Sequence, residues 1–372
     1  MPEGPTQQGF LLPNLTGALV ADYFQRHFGF RPSLGANSML LLGPALQGVA
    51  KRFPHQAAEA QGWGFLASDL KTWPQVLPWL VQHTQGQTWL EQALRPPQAR
   101  FRVQGLDWQA GDPRVMGILN LTPDSFYDGG RYQEPLAWQT QAKKLVAEGV
   151  AILDLGAEST RPGAKPVSAE EQWQRIEPVL RWIRQELGVP VSVDTRLVAV
   201  AAKALAAGAQ VINDVSGLSA GKEMIELVAR HQAGYVLMHS QGTPETMQQA
   251  PHYGNALQEV LEFLQKGRDR CLAWGLTQEQ IVLDPGIGFG KALVHNLDLL
   301  RFGSAFTQLG SLVMLGSSNK SLFGQALGLA PEARQPASLA TQVLGLPQGV
   351  SLFRVHEVAP VAQALAMTKL YL

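Results

Sequence analysis

The stretch GILNLTPDSFYDGG, residues 117–130, joins two opposite kinds of sequence. Gly117-Ile118-Leu119 has the character of the end of a buried strand. It runs straight into Asn120, Thr122, Asp124, Ser125 and Asp128 before closing on Gly129-Gly130. Strand ends are often polar, so a simple turn is one reading. So many oxygens and an amide at one strand's C-terminal edge raise another, a binding loop. What the other strand ends carry decides between them.

From Arg114 onward the chain alternates. VMGIL, AILDL, VSVDT, VINDV, YVLMH, IVLDP, LVMLG and LFRVH are short, apolar and often β-branched, as buried strands are. Amphipathic stretches separate them, among them LAWQTQAKKLVAEG, EEQWQRIEPVLRWIRQEL, LVAVAAKALAAG, NALQEVLEFLQKGRDRCLAWG and APVAQALAMTKLYL. Eight strand–helix units in about 260 residues predict an α/β fold, a TIM (β/α)8 barrel. A doubly wound open sheet would want a glycine-rich turn after its first strand, and none is present. Asn120, Asp154, Asp194, Asn213, His239, Asp284, Ser317 to Lys320, and Arg354 with His356 fall at or just beyond strand C-termini. In a closed parallel barrel those ends meet on one face. Capping of the following helices would explain one such residue, but not nearly all of them. The pattern predicts a site.

Composition narrows the function. Thirty basic residues balance thirty acidic ones, so no overall field favours nucleic acid or an anionic membrane. The single cysteine, Cys271, excludes an intramolecular disulfide and a cysteine-based metal cluster. MPEGPTQQGF has no basic region leading into an apolar one, and the apolar run around Met39 to Leu42 is far short of a bilayer span. The expectation is a soluble, cytoplasmic protein.

NLTPDSFYDGG, DLGAESTRPGA, VSVDT, VINDVSG, VLMHSQGTPETMQ, LDPGIGFGK, SSNKS and RVHEV, in this order and spacing, resemble the dihydropteroate synthase family over roughly residues 100–372. The resemblance implies condensation of 6-hydroxymethyl-7,8-dihydropterin diphosphate with 4-aminobenzoate, releasing diphosphate, by an enzyme expected to be a homodimer. It implies that Asp194, Asn213 and Asp284 read the donor edge of the pterin, for which carboxylates are natural partners. Lys320 would donate to a ring acceptor, and Arg354 would stack its planar guanidinium on the pterin face. Asn120, Arg354 and His356 would surround the diphosphate, with Asn120 as ligand to a Mg²⁺ ion that otherwise keeps water and phosphate oxygens. Asp124, Phe126, Asp128, Thr160, Arg161 and Ser321 would belong to the 4-aminobenzoate pocket and its closing loops.

Some positions depart from the family pattern. Ala157, Tyr127 and Glu357 are modest changes. Ser240 removes a flexible apolar side chain from the pterin region. Asn319 stands where the family usually has Arg beside its lysine, which takes a cation from the 4-aminobenzoate side. Gly286-Ile-Gly-Phe-Gly-Lys291 lacks the spacing of a phosphate loop and reads as a tight turn placing Asp284, with Lys291 near the pocket rim.

Two other readings differ in class. A methyltetrahydrofolate–corrinoid methyltransferase barrel would share the pterin readers but has no need of the TPDSF and STRPGA loops or of the Arg354–His356 pair. A non-catalytic pterin-binding relative would fit the departure at Asn319.

Residues 99–111, ARFRVQGLDWQAG, fit a β-hairpin closing the bottom of the barrel. Residues 1–97 resemble nothing recognisable and read as a small, mainly helical N-terminal extension, with helices at LTGALVADYFQRHF and PQVLPWLVQHTQGQTWLEQALR. Pro96-Pro97 marks its joint with a barrel domain over 98–372.

Overall fold

The computed structural model describes residues 10–15, 17–28, 32, 38–43, 56–60, 63–69, 98–122, 136–159, 164, 166–242 and 246–372. The chain divides into two compact units, Met1–Pro97 and Gln98–Leu372.

In the first unit, helix Gly17–Phe28 matches the amphipathic pattern and buries Val20, Ala21, Tyr23 and Phe24. The strands β1 (Phe10–Leu15), β2 (Ser38–Gly43), β3 (Ala57–Ala60) and β4 (Trp63–Asp69) form an antiparallel sheet in the order β1-β2-β4-β3. A mainly helical extension is therefore not what the described residues form. Short apolar runs such as SMLLLG are too brief for periodicity to assign, and here sheet pairing claims them. The second helix expected in this unit, over residues 74–95, lies outside the described residues.

The second unit begins with a hairpin, β5 (Arg100–Val103) and β6 (Leu106–Gln109). The barrel strands follow: β7 (Arg114–Asn120), β8 (Ile152–Gly156), β9 (Val191–Asp194), β10 (Val211–Asp214), β11 (Gly234–Met238), β12 (Ile281–Asp284), β13 (Leu312–Leu315) and β14 (Leu352–Val355). All pair in parallel, and β14 closes on β7. Each coincides with a strand predicted from the sequence. They are buried almost throughout, as strands covered on both faces must be. Helices from Leu136–Ala147 to Val358–Lys369 supply the outer ring.

Side chains alternate along a strand, so residues two apart share a face. The inward rows change character over one such step. Ile152 precedes Asp154, Val211 precedes Asn213, Val282 precedes Asp284 and Leu352 precedes Arg354. Their apolar members join Met116, Val236, Leu312 and Met314 in a core that also contains Phe101, Val103, Leu106 and Trp108 of the hairpin. Phe101 and Trp108 stack with ring centroids 5.4 Å apart. The barrel is thus stoppered below and polar above.

Phe101 depends on Gly234, because a Cβ there would lie 2.3 Å from its Cζ. Gly234→Ala should therefore overpack the stopper and cost about 1–3 kcal/mol, measured by urea unfolding. Phe101→Leu in the same chain should recover part of the loss.

Candidate active site

The polar ends converge as the register dictates. Asn120 pairs with Gly156, Gly156 with Asp194, and Asp194 with Asn213 across β7 to β10. Gly156 leaves the space: a Cβ there would sit 3.4 Å from Asn120 Oδ1 and 3.9 Å from Asp194 Cβ.

Arg354 is the hub. Its Nε donates to Asp154 Oδ2 at 2.7 Å, and a terminal nitrogen donates to Asp194 Oδ2 at 2.8 Å. Asn213 Nδ2 donates to the same Asp154 oxygen at 3.1 Å. Asp154 has no exposed surface and Arg354 is only slightly exposed. Asp154 Oδ1 and Asn213 Oδ1 are buried without a hydrogen-bond partner among the described residues, which is costly for acceptors unless incoming donors reach them. Burial raises the Asp194 carboxyl from 3.8 to about 7, against the opposing charge of Arg354 and with the help of the nearby Asp154.

Asp284, at the end of β12, accepts the Gly286 N–H at 2.7 Å, a turn bond rather than a helix cap. Burial raises its pKa too, while Gly286 N–H, Lys320 and Lys291 hold it back. The Lys320 ammonium lies 3.9 Å from the centroid of the Phe289 ring. Desolvation lowers it from 10.5 to about 8, with the charge of Arg354 adding to the effect. On the next strand end, Ser318 Oγ accepts the backbone N–H of His356 at 3.2 Å and lies 3.0 Å from His356 Nδ1.

Asp194, Asn213, Asp284, Lys320 and Arg354 thus come from five strand ends to one mouth, with Asn120 and His356 on β7 and just beyond β14. Ser321 is exposed and opens helix Ser321–Leu327. Asp124, Phe126, Asp128, Thr160 and Arg161 lie outside the described residues. The feet of the second loop are visible. Glu158 accepts from Arg196 through both oxygens, at 3.3 and 3.1 Å, and from the Val167 N–H at 3.1 Å.

Two residues matter more than the sequence indicated. Asp154 was legible only as a polar strand end, yet it anchors both Arg354 and Asn213. Lys291 does not lie at the rim. It is buried, with Nζ 2.8 Å from His239 Nδ1 and within 3.3 Å of the carbonyls of His239, Gly286 and Phe289. Burial lowers its pKa to about 7 and that of His239 to about 2. A lysine after a glycine turn gives no local sign of which way it points. Asn319 is exposed with φ of +55°, a left-handed conformation that Asn adopts more readily than Arg.

The profile of the pterin binding enzymes matches residues 116–356, from β7 through the residue after β14. The dihydropteroate synthase of Escherichia coli K12 is 40% identical over 267 residues, covering 72% of this chain and 94% of that protein. The chain belongs to the dihydropteroate synthase family. The Synechocystis dihydropteroate synthase is 42% identical over 250 residues, 67% of this chain and 86% of its own. A crystal structure of the Thermus thermophilus dihydropteroate synthase in complex with 4-aminobenzoate superposes with a TM-score of 0.65 at 40% identity, covering 73% of this chain and all of that one. The synthase fold and the polar mouth therefore agree with the resemblance read from the motifs.

The raised Asp194 carboxyl has a stability consequence. Between pH 3.8 and about 7 the native side chain keeps a proton that the unfolded chain releases, so its contribution to stability falls as pH rises through that window. Asp194→Asn abolishes the titration. The melting temperature of the variant relative to the parent should shift in the variant's favour between pH 5 and pH 8, as thermal melts at the two values will show.

Proposed function

We propose that the mouth of this synthase barrel binds the pterin through Asp194, Asn213, Asp284 and Lys320, with Arg354 against the ring face. The enzyme joins 6-hydroxymethyl-7,8-dihydropterin diphosphate to 4-aminobenzoate and releases diphosphate. The observation that carries the site reading is the convergence of these five side chains, with unpartnered oxygens on Asp154 and Asn213 beside them. Two guanidinium N–H groups of Arg354 are committed in plane to carboxylates, which leaves its planar face for stacking.

The chemistry asks for departure of diphosphate more than for a strong base. The C–O bond at the pterin methylene breaks with its electron pair going to diphosphate, and the arylamine nitrogen attacks the resulting cation and then loses a proton. His356 and the Arg354 cation stabilise the leaving charge. Asn120 Oδ1 fits as the protein ligand of a Mg²⁺ ion. Gly156 leaves open space beside that oxygen, 3.4 Å from where a Cβ would sit, and Mg²⁺ takes few protein ligands besides phosphate oxygens and water. When bound, the ion neutralises diphosphate charge. Asp124, Phe126, Asp128, Thr160, Arg161 and Ser321 complete the 4-aminobenzoate side.

Among the described residues no helix is long and apolar enough to cross a membrane. Leu344, Met367, Leu370 and Tyr371 expose apolar surface at the last two helices and the C-terminus, which supports pairing with a second copy.

Formation of 7,8-dihydropteroate by the purified chain, supplied with both substrates and Mg²⁺, tests the activity; no turnover with intact pterin binding would favour a non-catalytic relative. Asp284→Asn should weaken pterin binding by about 2 kcal/mol, roughly 30-fold, in calorimetry, and unchanged affinity would remove Asp284 from the site. A missing cation near a carboxylate is worth on the order of 1 kcal/mol. Asn319→Arg should therefore lower the KM for 4-aminobenzoate about fivefold, leave that for the pterin unchanged, and slightly lower the melting temperature because Arg takes a left-handed backbone less easily.

A further inference from the structure

We infer that Lys291 is a positioning residue for the pterin site, an internal ammonium that holds the turn after β12 in the shape the site requires. This rests on the pterin reading of Asp284 and Lys320.

Lys291 is buried, and among the described residues its ammonium has no carboxylate in hydrogen-bond contact. Its three hydrogens are shared among four acceptors: His239 Nδ1 at 2.8 Å, Gly286 O at 2.9 Å, Phe289 O at 3.0 Å and His239 O at 3.3 Å. Two of these belong to the turn and two to His239, the residue after β11. The side chain therefore fastens one loop to its neighbour.

The fastened turn carries two elements of the site. Gly286, whose carbonyl Lys291 holds, gives its N–H to Asp284 Oδ1 at 2.7 Å. Phe289, whose carbonyl Lys291 also holds, places its ring beneath the Lys320 ammonium. The fit leaves no slack for another arrangement. A Cβ at Gly286 would lie 1.9 Å from His239 O, and one at Gly290 would lie 2.3 Å from Gln241 O. Both glycines have positive φ, +67° and +62°. Without the ammonium, the carbonyls of His239 and Phe289 would lose its hydrogen bonds, Gly286 O would keep only the Phe289 N–H at 3.1 Å, and the turn would shift to hydrate the freed oxygens. Asp284 and Lys320 would then lose their fixed separation.

His239 is the second half of the device. As an acceptor at Nδ1 it must be neutral with its proton on Nε2, in keeping with its low pKa of about 2. Its ring is held edge-on to Phe263, 4.8 Å between centroids.

The test uses 6-hydroxymethylpterin as the calorimetric probe and inorganic diphosphate with Mg²⁺ as the control ligand. Lys291→Met should weaken the pterin about tenfold or more, with diphosphate binding changed less than twofold. In turnover, the KM for the pterin substrate should rise more than kcat falls. His239→Asn, whose amide oxygen can stand in for Nδ1, should retain pterin affinity near the parent's, whereas His239→Leu should lose it about tenfold. A folded Lys291→Met protein that binds the pterin within twofold of the parent would overturn the inference. If that variant fails to fold, equal pterin affinities in the two His239 variants would overturn it instead. A parent chain that binds diphosphate but no pterin would refute the underlying site reading.

Discussion

One largely buried guanidinium sets the terms for the mouth of this barrel. Arg354 reaches across from β14 to carboxylates on β8 and β9, and Asn213 on β10 leans on the same Asp154 oxygen. Charges so far from water are tolerated only in company. Removing Arg354 would strand both carboxylates, so the guanidinium ties the site's electrostatics together. Asp194 shows the strain in that balance: its carboxyl is pulled one way by Arg354 and the other by burial and Asp154, and burial prevails. A pocket that holds its anions this uneasily is one that gains from a ligand bringing N–H donors.

The sequence displays much of this because barrel geometry converts order into proximity. Strands such as AILDL and VINDV announce themselves by short β-branched runs, and the step of two residues from apolar to polar is visible in each. Closure of the sheet then needs no further information to bring Asp154, Asp194, Asn213, Asp284 and Arg354 together. What stays hidden is whatever depends on side-chain direction within loops. Lys291 follows a glycine turn whose backbone path no local pattern reveals, and its ammonium faces inward because four acceptors from two loops happen to meet there. The first unit was hidden for a different reason. Its strands are four to seven residues long, too short to separate from helix by periodicity, and only pairing between distant segments defines them.

Asn319 illustrates how a departure from a family pattern can be consistent with the backbone. At φ of +55° the position favours a short polar side chain that tolerates the left-handed region. Lys320, one position on, keeps its charge under control differently, by resting on the Phe289 ring in a partly desolvated mouth where its pKa falls to about 8.

The hairpin stopper has a consequence for traffic. With Phe101, Val103, Leu106 and Trp108 packed into the lower core, the lower end of the barrel is closed. A ligand that reached Asp154 and Asn213 would lie deepest, and would have to arrive before, and depart after, anything seated nearer the opening. Queueing of this kind is a property of shape alone. It would impose an order on the comings and goings of two substrates even if neither altered the other's affinity.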